Sequence, residues 1–355
     1  MGDARHGLRV EPFGVEHVEA AGALLAARHR RDRARVAALP AVYGQPAVAT
    51  ELVRDGAAGP DVSGVIAWHE GNAAGFLIGD ALRISPDSPI APYYRPHSVL
   101  VRYHAHAAEP EGAFDIYRAM YAAVAGTWAS AGLTAHYVHA AAGDSAVLDA
   151  FASLGCGRDM AWALRDTRPF PDVPDDFGLA IRRASVDDLD AIFTLDALLA
   201  HFESGSPVFM PFPTPLAVAE WRAELHSSLQ DHAIDHWLAE RDGVAIGLMT
   251  FTPPPRHVSP LLTPERATNI SAASVAPEER SAGVGVALLQ HGLARAREAG
   301  YTWCRLSYMT ANLVSSRFWL RMGFEPVAWR LSRTVDDRAI MEASHALGRR
   351  RWVSV

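Results

Sequence analysis

Lysine is missing altogether: all 33 basic side chains of this 355-residue chain are arginine. That excludes a P-loop, whose Gly-Lys-Ser/Thr step sets an ammonium against phosphates. Cysteine is nearly absent too. Cys156 and Cys304 cannot form a disulfide framework, and no Cys-x-x-Cys or His-rich spacing suggests a metal site. There is no long uncharged apolar run and no N-terminal apolar segment, so neither a membrane span nor a signal peptide is expected, and the protein is read as cytoplasmic. The net charge of −7 and the lack of a concentrated basic face argue against nucleic acid as the main partner. The arginine clusters at Arg28 to Arg35 and Arg349 to Arg351 read as solvated helix and tail. No Ser-His-Asp spacing supports hydrolase chemistry.

What is present is an ordinary globular composition, 49% hydrophobic and 21% charged, in a chain long enough for two domains. Its most distinctive stretch runs from Ile270 to Leu289. An alternating, β-branched run ends at Val275, and Ala276-Pro277-Glu278-Glu279-Arg280-Ser281-Ala282-Gly283-Val284-Gly285 follows. Then Val286, Leu289, Leu293 and Ala296 fall on one helical stripe, which Gly300 ends. Strand, glycine turn and helix start present unpaired N–H groups and the positive end of a dipole, the usual setting for a phosphate or pyrophosphate. A dinucleotide fingerprint would need a third glycine, and Leu288 stands there. Trp303 to Met309 reads as a further strand, with Cys304, Leu306 and Tyr308 on one face.

The chain also repeats itself. Leu8-Arg9-Val10 and a charged helical stretch mirror Leu179-Ala180-Ile181 and Ser185 to Ala200. Gly71 and Gly75 pair with Gly243 and Gly247 at one common offset, each pair in a hairpin-like segment. Asp144 to Cys156 parallels Asn312 to Phe324. The expected organisation is a domain over 1–165, a Pro- and Asp-rich linker over 166–178 and a second domain over 179–355. With the later offset applied to the glycine turn, Asp115 and Tyr117 replace its glycines, and Gly112 stands in place of Arg280. The N-terminal copy then reads as degenerate, a carboxylate and a bulky ring sitting where an anion would bind.

Val-x-Pro-x-x-Arg-x-x-Gly-x-Gly, followed by Asn312 and Phe318-Trp319-Leu320-Arg321-Met322-Gly323-Phe324-Glu325-Pro326, resembles the GNAT superfamily of acyl-CoA-dependent N-acyltransferases over about residues 179–335. The resemblance implies an α/β fold of two tandem GNAT-like domains, each a mixed, mostly antiparallel sheet with a splayed parallel pair flanked by helices. It implies acetyl-CoA as acyl donor, with no metal. Ala273, Ser274 and Val275 would meet the pantetheine arm. Arg280, with the N–H groups of Ser281, Ala282, Gly283, Val284 and Gly285, would hold the pyrophosphate. Asn312 would contact the cofactor arm, serve as a plain helix N-cap, or do both.

Two departures from the superfamily leave proton handling open. Asn269 stands where many members have a Glu base, and Trp319 where many have a Tyr acid. An indole does not titrate, so Trp319 is read as packing or as a wall of the thiol pocket. Tyr308 is a substitute acid or a packing residue. Glu203 is a substitute base or a solvated residue of an ordinary loop. Around it His201, Phe202, Phe209 and Phe212 would suit a cationic amine that also carries apolar surface. His257 and Glu265, in a Pro-rich connection long enough for a lid, are runners-up.

The expected function is direct acetyl transfer to the primary amine of a small molecule, such as an antibiotic, an aminosugar or another metabolite. The tandem plan also resembles that of mycothiol synthase, which adds a cysteinyl-aminoglycoside to the acceptor panel. The alternative is an acyl-CoA-binding, sensing or scaffolding module without chemistry. No nucleic acid or membrane partner is expected, and the assembly is open between monomer and homodimer.

Overall fold

A computed structural model describes residues 7–170, 178–255, 259–336 and 338. The chain divides into two compact units, each assembled from more than one stretch. The first comprises residues 1–84, 94–159 and 328–355, and the second residues 85–93 and 160–327. These bounds differ from the sequence halves in one informative way, which concerns the last strand of each copy.

In the first unit the strands are β1 (Leu8–Pro12), β2 (Val62–His69), β3 (Asn72–Arg83), β4 (His97–Val101), β5 (His106–Ala108) and β6 (Ala135–Ala141). Its helices are α1 (Val18–Arg35), α2 (Pro46–Ala57), α3 (Ala113–Ser130) and α4 (Ser145–Ser153). The sheet runs β1-β2-β3-β4-β6 and is completed by β13 (Glu325–Thr334), with β5 paired to β3. Among the described residues of this unit only β4 and β6 are parallel, over Ser98–Val101 against Ala135–Val138.

The second unit repeats the plan. It holds β8 (Ala180–Arg183), α5 (Leu189–Ser204), α6 (Pro215–Ser228), β9 (Asp235–Arg241), β10 (Val244–Thr252), β11 (Ala267–Val275), α7 (Val284–Glu298), β12 (Trp303–Met309) and α8 (Leu313–Arg321). Its sheet runs β8-β9-β10-β11-β12 and is completed by β7 (Gly157–Asp166), which enters from Met160 onward. The copies have therefore exchanged their last strands. β7 pairs antiparallel with β12 from Met160↔Met309 to Asp166↔Trp303, and β13 pairs with β6 from Ala328↔Ala141 to Thr334↔Ala135.

The start of the expected linker is held rather than free: Thr167 donates its N–H to Thr302 O and its hydroxyl to Tyr301 O, while 171–177 lie outside the described residues.

Alternation and glycine turns place the rest. In the second unit Leu238 and Leu248 turn to one sheet face and pack with Ile192, Leu195 and Leu225, the apolar faces of α5 and α6. On the opposite face α7 comes so close that a Cβ on Gly292 would overlap the Phe251 ring. The β9–β10 hairpin turns at Asp242 and Gly243, both at positive φ. Among the described residues no helix is long and apolar enough to cross a membrane. The same residues hold no cluster of three or more His, Cys, Asp or Glu able to bind a metal ion.

One expectation fails in the first unit. Arg28 is not solvated: it is buried, its Nη1 and Nη2 each 2.5 Å from the carbonyls of His106 and Tyr103, and its Nε 3.4 Å from buried Asp32. The buried face of α1 runs from Val18 through Leu25 and His29 to Asp32, and Arg28 falls on it. Arg349 to Arg351 lie outside the described residues.

Candidate active site

The second unit contains a cavity of about 540 Å3 that opens where β11 and β12 part. Their parallel ladder covers only Ala267↔Trp303 to Ile270↔Leu306, although both strands continue. On its other side β11 stays paired with β10 as far as Gly247↔Val275, with a bulge at Ser271. A bulge re-aims one strand of a pair. Here it coincides with the point at which β11 leaves β12.

Ala273, Ser274 and Val275, on the unpaired run of β11, line this cavity. The Ser274 hydroxyl is sealed from solvent and has no hydrogen-bond partner, an orphan that a bound polar chain would satisfy. At the end of β11, a short 3-10 turn over Pro277–Glu279 leads to Ser281 and Gly283, both in the left-handed region at φ 66° and 86°. Gly283 is the N-cap of α7, and no N–H from Ser281 to Gly285 donates to a backbone carbonyl among the described residues. Ser281, Gly283, Val284 and Gly285 line the cavity, whereas Ala282 does not. A Cβ on Gly285 would lie 3.4 Å from Phe318, an ordinary contact, so packing alone does not require a glycine there. Arg280 lines the same space, its guanidinium 5.4 Å from the Phe202 ring centre and its Nε 3.3 Å from Val275 O. A run of free N–H groups beside an arginine, below an orphaned hydroxyl, fits an extended ligand with a polar chain and an anionic end.

Asn312 is a helix N-cap that also reaches a neighbouring carboxylate. Its side-chain oxygen caps α8 by accepting from Ser315 N at 3.0 Å, and its amide donates to Glu203 Oε1 at 3.0 Å. Glu203 is not in a solvated loop. His-Phe-Glu-Ser continues α5 to Ser204, and Glu203 is only 6% exposed at the cavity wall. Burial raises its pKa, and the bond from Asn312 partly offsets this. Tyr308 is buried in the same wall, and burial raises its pKa too. Trp319 lines the cavity while stacked edge-on between Phe318 and Phe324, with centroids 4.8 and 5.3 Å away.

The acceptor-side aromatics divide. Phe202 lines the cavity, but His201, Phe209 and Phe212 do not. His201 stacks on Phe212 at 4.6 Å, and Phe209 is 73% exposed at φ 55°. Of the runners-up, Glu265 is exposed, and His257 lies outside the described residues. Asn269 is buried and donates to Thr252 Oγ1 at 3.2 Å.

Among the wall residues that sequence reasoning missed, Tyr93 and Met160 come from farthest away in the chain. Met160 arrives on the exchanged strand and Tyr93 on the 85–93 segment, and no local pattern announces either.

The register of the N-terminal turn also changes. The N-cap of α3 at positive φ is Gly112, so Gly112 matches Gly283. Asp115 instead occupies the first helical turn, 3.6 Å from Arg118, and Tyr117 is buried. The intervening loop is shorter, Glu109-Pro110-Glu111-Gly112 after β5 where the other copy has all of Ala276 to Gly283 after β11. Between these N-caps the offset is still 283 − 112 = 171, and at the glycines after the helices it is 300 − 132 = 168, so the drift is absorbed within the helix, α3 having 18 residues and α7 15.

Residues 200–324 match the acetyltransferase (GNAT) family. Comparison with curated proteins gives no match. Among solved structures, a GCN5-related N-acetyltransferase from Sphaerobacter thermophilus matches at 16% identity and TM-score 0.56, covering 92% of this chain and 95% of that one. A GCN5-related glucosamine N-acetyltransferase region of a fungal multi-domain GH3 β-N-acetylglucosaminidase matches at 14% identity and TM-score 0.53. It covers 92% of this chain and 38% of that one. At such identities the likeness establishes the fold.

Proposed function

We propose, from the match of residues 200–324 to the acetyltransferase (GNAT) family, that this protein is an acyltransferase moving an acetyl group from acetyl-CoA to the primary amine of a small molecule. The observation that carries the reading is the single cavity into which the parting strands, the glycine turn and a buried carboxylate all open. Acetyl-CoA supplies an activated thioester. The amine nitrogen bonds to its carbonyl carbon, the carbon–sulfur bond breaks, and the thiol departs with a proton.

Arg280 and the N–H groups of Ser281 to Gly285 bind the pyrophosphate, and Ala273 to Val275 align the arm. Glu203 accepts the amine proton, held in place by Asn312, and Tyr308 keeps a proton available at neutral pH. Burial raises the proton affinity of the Glu203 carboxylate toward that of an amine, which improves it as a base once ionised. Trp319 walls the thiol end. The N-terminal copy carries no cofactor: its shortened turn holds Glu109 and Glu111, like charges for a pyrophosphate.

Thiol release on mixing the protein with acetyl-CoA and a panel of amines, aminosugars and aminoglycosides tests this. Release that depends on an amine is expected. Tight acetyl-CoA binding without turnover across the panel would instead make the chain a sensing module.

A further inference from the structure

Residues 85–93 run between β3 and β4, strands of the first unit, yet belong by their contacts to the second. The loop is closed at its base, where Ile84 donates its N–H to Pro96 O at 2.9 Å. Within it Pro86, Pro89 and Pro92 recur at every third position. Successive turns are closed by the N–H groups of Ser88, Ala91 and Tyr93 on the carbonyls of Ser85, Ser88 and Ile90. The hydroxyls of Ser85 and Ser88 accept from the N–H groups of Asp87 and Ile90 at 3.3 and 3.4 Å. Proline fixes φ and local bonds of this kind set the turns, so the segment holds its shape before any ligand arrives.

Asp87 ties the segment down. Its Oδ1 accepts from Thr214 Oγ1 at 2.5 Å, and Thr214 is the N-cap of α6. With α5, α6 packs on the Leu238 and Leu248 face of the second sheet, opposite α7. The segment is therefore held on the side from which α5 brings Leu198, Leu199, Phe202 and Glu203 to the cavity wall. At its end Tyr93 lines the same cavity and is still 40% exposed, so its ring is open to a molecule entering from solvent. The phosphate-binding turn opens α7 on the other face, which leaves the α5 side to the acceptor. Of these five wall residues Glu203 alone carries a charge. Against rings and leucines the hydroxyls of an aminosugar would lose hydration without gaining partners, whereas an apolar body would bury surface.

We infer that Tyr93, delivered by the first copy, is a specificity-determining residue of the acceptor site, and that the acceptor is an amine on an apolar or aromatic body. The ring of Tyr93 packs on that body while the amine faces Glu203. The inference rests on the acyl-transfer reading above and narrows its substrate class. It also gives the first copy, itself without cofactor, a part in the reaction of the second.

The test measures thiol release with phenethylamine, ethylamine and glucosamine. In the wild-type protein kcat/KM for phenethylamine should exceed that for either other amine by at least about tenfold. Tyr93→Ala should raise the phenethylamine KM about tenfold and keep kcat and the acetyl-CoA KM within about twofold, a split that a merely structural role would not produce. Tyr93→Phe should keep the wild-type values, because the ring and not the hydroxyl makes the contact. An unchanged phenethylamine KM in Tyr93→Ala, an equal rise in Tyr93→Phe, or either other amine taken as well as phenethylamine overturns the inference and leaves acyl transfer standing. Absence of thiol release with every amine would sink acyl transfer instead. In that case calorimetric titration with phenethylamine decides: affinity should fall about tenfold in Tyr93→Ala, and no binding or an unchanged affinity overturns the inference. The wild-type comparison of the three amines stands even if a variant fails to fold.

Discussion

The two copies place a carboxylate at the same point of their first long helix and use it in opposite ways. Counted from the 3-10 turn that opens each copy, with Gly14 and Ser185 as N-caps, Asp32 of α1 matches Glu203 of α5. In the second unit Glu203 faces a cavity and holds one hydrogen bond from Asn312. In the first, Asp32 accepts from Tyr103 at 2.8 Å and pairs with Arg28, whose other contacts are the carbonyls of Tyr103 and His106. His106 bonds Tyr117 at 2.9 Å in turn. Burial holds the Tyr103 hydroxyl well above, and the His106 imidazole well below, their usual pKa ranges, so both stay neutral. Arg28 corresponds to Leu199, and that exchange puts a charged network, hydrogen-bonded through Arg28 Nη1 and Nη2, where the other copy keeps open space. One plan thus yields a buried carboxylate facing open space in one copy, and a carboxylate enclosed by an arginine and a tyrosine in the other.

The largest break in this comparison should come from Glu203→Gln. If its carboxylate takes the amine proton, kcat falls by about 10²–10⁴. The wild-type rate should also climb with pH through a midpoint above the ordinary carboxylate range, because the base must ionise and burial raises its pKa. In the variant that acidic limb should disappear. An unchanged pH–rate profile would remove Glu203 from the chemistry.

Arg28→Leu recreates the Leu199 side of the pair. It strands Asp32 without its cation, and a loss of about 3–5 kcal/mol in denaturant unfolding is expected, with no gain of acetyl-CoA binding. A stability change within about 0.5 kcal/mol would mean that the network is not what holds the first unit closed.

Arg280→Ala should weaken acetyl-CoA binding about tenfold or somewhat more, the value of a charge-assisted contact, with high cofactor concentration restoring most of the rate. Unchanged affinity would contradict the phosphate assignment. Trp319→Phe should stay within a few-fold of wild type, because the ring packs between Phe318 and Phe324 and carries no titrating group. A fall of several orders in kcat would give the indole a direct role.

What could be read before the fold was known follows locality. The strand, glycine turn and helix of 267–298, the strand Trp303–Met309 and the cap Asn312 obey short-range rules, and each forms where its pattern lies. Glu203 was visible as a candidate, but its helical setting was not, since Gly205 rather than Ala200 marks the end of α5. The exchange of β7 and β13 is a choice between two equally good strands made by tertiary pairing, so it leaves no trace in either segment. Tyr93 and Met160 were hidden for that reason. The N-terminal turn was misregistered because the later offset was carried back across the helix, which has 18 residues in the first copy and 15 in the second.

The contrast between a filled copy and an open one is tested most directly by calorimetric titration of the whole chain with acetyl-CoA. One molecule per chain should bind, and binding should vanish in Gly283→Asp. That change puts a side chain at φ 86° and a carboxylate among the N–H groups of the turn. A ratio near two, or binding that survives the substitution, would contradict the account by showing that the first unit holds cofactor as well.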